Sequence, residues 1–338
     1  MTTNSSRALP TLEDVARAAG VSRATVSRVV RDDPTCTPHT REKVEKAIAE
    51  IGYVPNRLAR SLVTRQTDAI AVVVAEPDER VFTDPFFATT IAGIAAALEP
   101  AEKHLSLLMG ASRSSSYLER YLRGGYADAV ILISHHRDDK LLSRLTALRI
   151  PCSLVGRPME SSQETRFADI DNELGGYLAT QHLVERGCQR IASITGPMTM
   201  AAAADRKSGY YRALAEAGLQ SVGEYDGGFT AEIAQIQASR LLEEHPEVDG
   251  IFISSDLMAA GAIPVLNERG RTVPDHVAVV GFDDSRLSKL TTPALTTVTN
   301  PGHDLGFEAA QIVLSQLKNE SLEGPTIITP QLVVRQSA

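Results

Sequence analysis

The chain has 338 residues, 43% hydrophobic and 22% charged, which is ordinary for a globular protein and enough for about two domains. Its formal net charge of −8 is unevenly spread: residues 1–66 hold 11 Lys+Arg against 7 Asp+Glu, and the remainder holds 23 against 35. A small basic head on a large acidic body excludes phosphate binding by the body as a whole and allows the head to tether to it.

Residues 1–10 carry no pattern and read as a flexible lead-in. Thr11 then opens a helix, with Asp14 three residues on, favourable at the positive helix end. Leu12, Val15, Ala16 and Ala19 repeat on one apolar face. Gly20 permits a tight turn, and Ser22 caps a second helix with Val26, Val29 and Val30 inward. The other face of that helix carries arginines, hydroxyls and an alanine, and no acid lies between Ser22 and Arg31. Such a face suits phosphates and base edges. Thr37-Pro38 starts a third helix with Val44, Ala47, Ile48 and Ile51 as its stripe, and Gly52 ends it. Two of the three helices, joined by A-G-V-S, form a helix-turn-helix.

The string T-L-E-D-V-A-R-A-A-G-V-S-R-A-T-V-S-R-V-V, followed by T-R-E-K-V and I-G-Y-V-P-N-R-L-A-R-S-L, resembles the N-terminal domain of the LacI/GalR family of bacterial transcription regulators. The resemblance implies that the second helix enters the major groove, with Arg23, Ala24 and Arg28 at the base-reading positions. Arginine bonds bidentately to guanine, while an alanine offers only apolar contact. Thr11, Ser22, Thr25, Ser27, Asn56 and Arg57 are the implied backbone contacts. Residues 55–67 match the family's hinge helix, which is too short to persist alone in water. There Leu62 matches the leucine wedged into the minor groove, and Ala59 is small enough for close approach to the groove floor.

After Thr67 short apolar runs alternate with helical stretches. Strands are expected at Ala69–Ala75, Leu105–Met109, Ala129–Ser134, Cys152–Val155, Ile191–Thr195, Gly250–Ser254, Val277–Phe282 and Leu295–Thr299. Helices are expected at Phe86–Leu98, Tyr117–Gly124, Lys140–Ala147, Leu174–Glu185, Gly209–Ala217, Ile233–Glu244, Leu257–Glu268 and Leu305–Leu317. Buried strands alternating with helices predict parallel, doubly wound α/β sheets, too many for one sheet. The segments D-P-F-F, V-G-R-P, D-I-D-N, L-V-E-R-G-C-Q-R-I, S-D-L-M-A-A-G and V-A-V-V-G-F-D-D-S match the family's effector domain in order, so the resemblance spans nearly the whole chain. It implies an all-α helix-turn-helix head (11–54) and an α/β body (68–338) of two doubly wound parallel-sheet subdomains, as in periplasmic sugar-binding proteins. The first would comprise about 68–170 with 302–326, the second about 171–301 with 327–338.

Ligands bind at the carboxyl ends of parallel strands, so the cleft between two such sheets is the expected site. Asp256 and Arg206 match the family's usual effector contacts, a carboxylate and a guanidinium fit to grip a polyol. Arg157 follows a strand, and Asn172 sits at a crossover beside Asp171. Phe86, Phe87 and Phe229 offer faces for a sugar ring. The loop Met198–Asp205 is apolar where purine-binding relatives carry polar groups, which favours a sugar. Asp256 is also placed to cap the following helix.

No catalytic motif is present, and neighbours His135 and His136 on a strand end point to opposite faces, so neither a metal nor a cofactor is expected. Asp169, Asp171, Asp283 and Asp284 fall at family turn and cap positions rather than in an acid/base pair. Cys36, Cys152 and Cys188 are odd in number and far apart, which speaks for a reducing, cytoplasmic compartment. There is no apolar run fit to span a membrane and no signal peptide. The expectation is therefore a non-enzymatic repressor that pairs as a homodimer on a near-palindromic operator in double-stranded DNA and responds to a sugar. The alternative is a cytosolic sugar-binding protein with an inert head.

Overall fold

The computed structural model describes residues 10–30, 33–54, 66–109, 115–138, 140–160, 165–321 and 324–338. The chain divides into two units, Met1–Thr67 and Asp68–Ala338.

The first unit holds helices α1 (Leu12–Ala19), α2 (Arg23–Val30) and α3 (Pro38–Ile51). Thr11 and Asp14 form a reciprocal capping box on α1, and Thr37 caps α3 ahead of Pro38. Gly20 and Gly52 end α1 and α3 in the left-handed region, at φ 65° and 66°, where only glycine sits without strain. Val15, Val26 and Val44 are fully buried and share a core with Val29, Ala47 and Tyr53. Each such valine contributes about 1.5–3 kcal/mol, so three of them sustain a domain this small. Val30 is only half-buried, packed against this core from its margin, and Tyr53 beyond α3 belongs to it.

The second unit holds two six-stranded sheets. Its strands are β1 (Ala69–Val74), β2 (His104–Met109), β3 (Ala129–Ile133), β4 (Cys152–Val155), β5 (Phe167–Ile170), β6 (Ile191–Thr195), β7 (Gly223–Asp226), β8 (Gly250–Ile253), β9 (Ala278–Asp283), β10 (Thr296–Thr299), β11 (Thr326–Ile328) and β12 (Leu332–Val333). Its helices are α4 (Asp78–Thr83), α5 (Pro85–Leu98), α6 (Ser115–Arg123), α7 (Leu141–Leu148), α8 (Asn172–Glu185), α9 (Ala201–Glu216), α10 (Ala231–Glu244), α11 (Asp256–Glu268) and α12 (Gly302–Leu317). The first sheet runs β11-β5-β4-β3-β1-β2 and the second β12-β10-β9-β8-β6-β7. All pairs are parallel except β10 with β12. β12, which follows β11 after a few residues, joins the second sheet at its edge and runs antiparallel to β10.

The chain passes between subdomains three times: from β5 into α8, from β10 into α12, and from β11 to β12. The last passage lies beyond Ile328 rather than near residue 326. Thr326–Ile328 still pair with β5, and the Ile328 carbonyl accepts the Asp171 N–H at 3.0 Å.

Two departures shape the cleft. Helix α9 starts at Ala201 rather than near Gly209, because the alanine run that resembles a ligand loop is a strong helix former. Helix α4 appears between β1 and α5, where no element is expected from the sequence. Helices α8 and α9 pack closely enough that a Cβ on Gly176 would lie 2.0 Å from the Arg206 carbonyl oxygen. That contact fixes the backbone of Arg206.

Candidate functional site

On the head, Arg23, Ala24 and Arg28 are exposed on one helix, as a groove-reading face requires. Arg23 pairs with Glu13 of α1 at 3.0 Å, so α1 supplies the acid that α2 lacks. Ser22 caps α2 by accepting the Thr25 N–H at 3.1 Å, and their hydroxyls lie 2.9 Å apart. Thr25 and Ser27 are half-buried. The Thr11 hydroxyl donates to the Asp14 carboxylate at 2.7 Å, which together with the Thr11 N–H holds that carboxyl below its usual range. Thr11 and Ser22 thus set helix starts, with their backbones at the head surface. Asn56, Arg57, Ala59 and Leu62 lie outside the described residues.

In the body, a cavity lies between the carboxyl ends of the two sheets. Arg157, Asn172, Arg206, Phe229, Phe86 and Phe87 all line it. Arg206 is 5% exposed. It donates from Nε to Asn172 Oδ1 at 2.9 Å and from Nη1 to the Ser254 carbonyl at 2.6 Å, and it lies 3.6 Å from the Phe282 ring centroid. Asn172 in turn donates to Asp169 Oδ1 at 3.0 Å. Arg157 reaches across from the first subdomain to Asp205 on α9, with Nε–Oδ2 at 2.7 Å and Nη2–Oδ1 at 2.5 Å. Phe229 carries φ 55° at the start of α10 and is almost wholly buried.

Asp256 is a correction. It does not line the cavity: its Oδ1 accepts the Thr297 hydroxyl at 2.6 Å and its Oδ2 the Ser285 N–H at 2.7 Å. Each oxygen thus has a protein donor within the body. Nor does Asp256 cap α11, since Ser255 does. Asp84, Asp169 and Asp283 are the carboxylates on the cavity wall; Asp283, at the end of β9, accepts from Asn300 Nδ2 at 2.9 Å. From the sequence alone, Asp283 reads as a turn residue.

Other wall residues carry no sequence signal as ligand contacts. Arg80 comes from α4, Asp84 caps α5, and Asn300 sits at the second subdomain passage. The one available signal is position: Asp169 and Asp283 end strands, and Asn172 and Asn300 begin passages. Ser134, Gly156, Phe229 and Asp283 all line the cavity with positive φ. Strain of about 1–3 kcal/mol per non-glycine residue concentrates at sites that use it.

Charge in the cleft is tightly balanced. Burial pushes the carboxyls of Asp84, Asp169 and Asp283 up. Burial also lowers Arg206, against the pull of Asp283, Asp169, Asp84 and Asp256. Burial, reinforced by the Asp283 charge, raises Asp256. Each arginine of the wall already has an acidic neighbour: Arg80 with Glu76 at 2.8 Å, Arg157 with Asp205 at 2.5 Å, and Arg206 with Asp283 at 3.9 Å. Among the described residues no group of three or more His, Cys, Asp or Glu is placed to hold a metal. None of the described helices is long and apolar enough to cross a membrane.

Comparison with known proteins agrees with this architecture. Residues 11–56 match the model of bacterial regulatory proteins of the lacI family, and residues 180–338 match a periplasmic binding protein-like domain. The chain is 42% identical to the HTH-type transcriptional regulator CelR of Thermobifida fusca, over 98% of this chain and 99% of that one. It is 32% identical to GalR of Escherichia coli, over 97% and 96%. Among solved structures, a CelR–cellobiose complex aligns with TM-score 0.78 at 39% identity, over 97% of this chain and 100% of that one. A lac repressor dimer bound to operator and the anti-inducer ONPF aligns with TM-score 0.85 at 27% identity, over 97% and 99%.

Proposed function

The chain belongs to the LacI family of bacterial transcription regulators, DNA-binding proteins and not enzymes, and from that premise we propose that it is a cytoplasmic homodimeric repressor released from its operator by a neutral disaccharide. The observation that carries the ligand class is the charge balance of the cleft. Every guanidinium on the wall has an acidic neighbour. A phosphorylated or carboxylated ligand must therefore compete with a carboxylate for its guanidinium, whereas a polyol donates a hydroxyl to Asp283 without breaking an ion pair. Phe86, Phe87 and Phe229 on the cavity wall supply apolar faces for sugar rings. Cellobiose, the ligand in the CelR complex, is the first candidate.

Two chains place two copies of α2 on the halves of a near-palindromic duplex. Arg23 and Arg28 read guanines, and Ala24 contacts a thymine methyl. Leu62 and Ala59 enter the central minor groove, while Thr11, Ser22, Thr25, Ser27, Asn56 and Arg57 position the backbone. Sugar binding changes the angle between subdomains and shifts operator affinity by a coupling of about 1–3 kcal/mol.

The test is fluorescence anisotropy on duplexes selected from a random library. Cellobiose should release the full-length chain from the selected sequence. Arg23→Ala with Arg28→Ala should cost roughly 10- to 100-fold on that sequence and far less on random duplex. Undiminished preference in the double variant would overturn the reading of α2, and indifference to cellobiose would overturn the ligand.

A further inference from the structure

Arg80 is a cation of the cleft that no sequence pattern announces. It is delivered by α4, one turn beyond the end of β1. Its side chain is 11% exposed and its guanidinium lies between two rings, 5.7 Å from the Phe87 centroid and 5.2 Å from that of Phe229. Phe87 belongs to the first subdomain and Phe229 to the second. The guanidinium is therefore held in place from both walls.

Its hydrogen bonding is incomplete. Nη1 pairs with Glu76 Oε2 at 2.8 Å, but Nε is buried and has no hydrogen-bond partner. A buried N–H left unpaired costs about 1–3 kcal/mol. This one belongs to a residue on the wall of the ligand cavity.

The counter-ion is equally built. Glu76 is 4% exposed. It accepts the Ser134 hydroxyl and lies 3.1 Å from His136 Nε2. Burial works to raise its carboxyl, but the His136 ring, the Arg80 charge and the Ser134 hydroxyl outweigh it and hold the group below its usual range. Glu76 is thus a committed anion, and it neutralises Arg80 without reaching Nε.

Building on the sugar reading, we propose that Arg80 is a specificity-determining residue: its guanidinium, on the cavity wall and short of hydrogen-bond partners, donates to an oxygen of a neutral sugar while Glu76 cancels the charge that would otherwise attract an acidic one. The pair separates two jobs that an isolated arginine performs together. Direction comes from Arg80, and refusal of anions comes from Glu76. Glu76→Gln keeps one acceptor oxygen, for Arg80 or for Ser134, and removes the negative charge, leaving a net cation on the wall. The cleft then becomes receptive to a carboxylated sugar. Arg80→Lys keeps the cation over the two rings but loses the fixed planar donor.

The experiment is calorimetric titration of the full-length chain with cellobiose and with its uronic-acid counterpart, cellobiouronic acid. Thermal melting of each variant without ligand reports on folding. The parent chain should prefer cellobiose at least about 10-fold. Arg80→Met and Arg80→Lys should each weaken cellobiose by about 10- to 100-fold, the worth of a charge-assisted hydrogen bond. Glu76→Gln should shrink or invert the preference. Unchanged cellobiose affinity in Arg80→Lys, or an unchanged preference in Glu76→Gln, overturns the proposal and leaves the sugar reading standing. A parent chain that binds neither sugar, or favours the uronate, overturns both. If Arg80→Met melts early, the Arg80→Lys and Glu76→Gln titrations still decide.

Discussion

Asp283 occupies a backbone angle of φ 116°, and its carboxyl is buried among Arg206, Asp84 and Asn300. Burial raises its pKa in the folded chain, so the folded state binds its proton more tightly than the unfolded state does. Its contribution to stability is therefore present below the ordinary carboxylate pKa and is lost as pH rises toward neutrality. Asparagine cannot titrate. Asp283→Asn should accordingly gain stability relative to the parent between about pH 5 and about pH 8, by about 1.4 kcal/mol for every tenfold loss of acidity on folding. Urea denaturation at the two pH values measures this, and a pH-independent difference would show that Asp283 is not raised. Residue-level legibility is uneven for a physical reason. Arg157, Arg206 and the three phenylalanines are readable because they sit close to strand ends or helix starts. Choosing Asp283 over Asp256 is not, since Asp256 is withdrawn by Ser285 and Thr297, which lie far along the chain. No local pattern announces which of two strand-end acids will have its lone pairs taken.

Helices and strands are far more legible, because hydrophobic period survives without tertiary information. The eight expected strands all appear, with ends shifted by a residue or so. The four unexpected ones are short or polar: F-A-D-I, G-E-Y-D, T-I-I and L-V. They lie next to an edge or at one, and each is too short for a hydrophobic period to show. Helix α4 is hard to foresee because D-E-R-V-F-T is short and mostly polar, although it carries Arg80. The closeness of α8 and α9 is itself testable. In Gly176→Ala the added methyl meets backbone, with the Arg206 carbonyl 2.0 Å away, and no side chain can swing aside to relieve it. Overpacking of this kind costs about 1–3 kcal/mol. The helix pair must separate, and Arg206 moves with it. Urea denaturation should show the loss, and calorimetry should show weakened cellobiose binding even where the chain remains folded. Undiminished binding would mean that Arg206 does not touch the ligand.

At the scale of the whole molecule, the uneven charge seen along the chain matches a division of labour between a groove-reading head and a ligand-sensing body. Within the body, direct bonds cross the cleft: Arg157 to Asp205, the Arg137 N–H to the Thr199 carbonyl at 2.8 Å, and His136 Nδ1 to Thr199 Oγ1 at 2.7 Å. Arg157→Met removes the strongest of them. Since the pair is partly exposed, its worth is about 1 kcal/mol or less, a shift of roughly fivefold toward open forms. Distances between spin labels on the two subdomains should broaden in the ligand-free variant and narrow again with cellobiose. An unchanged distribution would show that the ion pair does not help hold the cleft shut.

The three passages between β5 and α8, β10 and α12, and β11 and β12 behave like three hinges on one door. A panel hung that way swings about a single axis, and it resists twisting or sliding. Two of those hinges carry Asn172 and Asn300, whose amides hold the aspartates of the pocket, so a guest leans on the pivot itself. Whatever molecule occupies the pocket, the output has one available stroke, and guests differ only in how far along it they arrest the door. Selection is then free to rewrite the lock, residue by residue, while the machinery that pulls on DNA stays as it is.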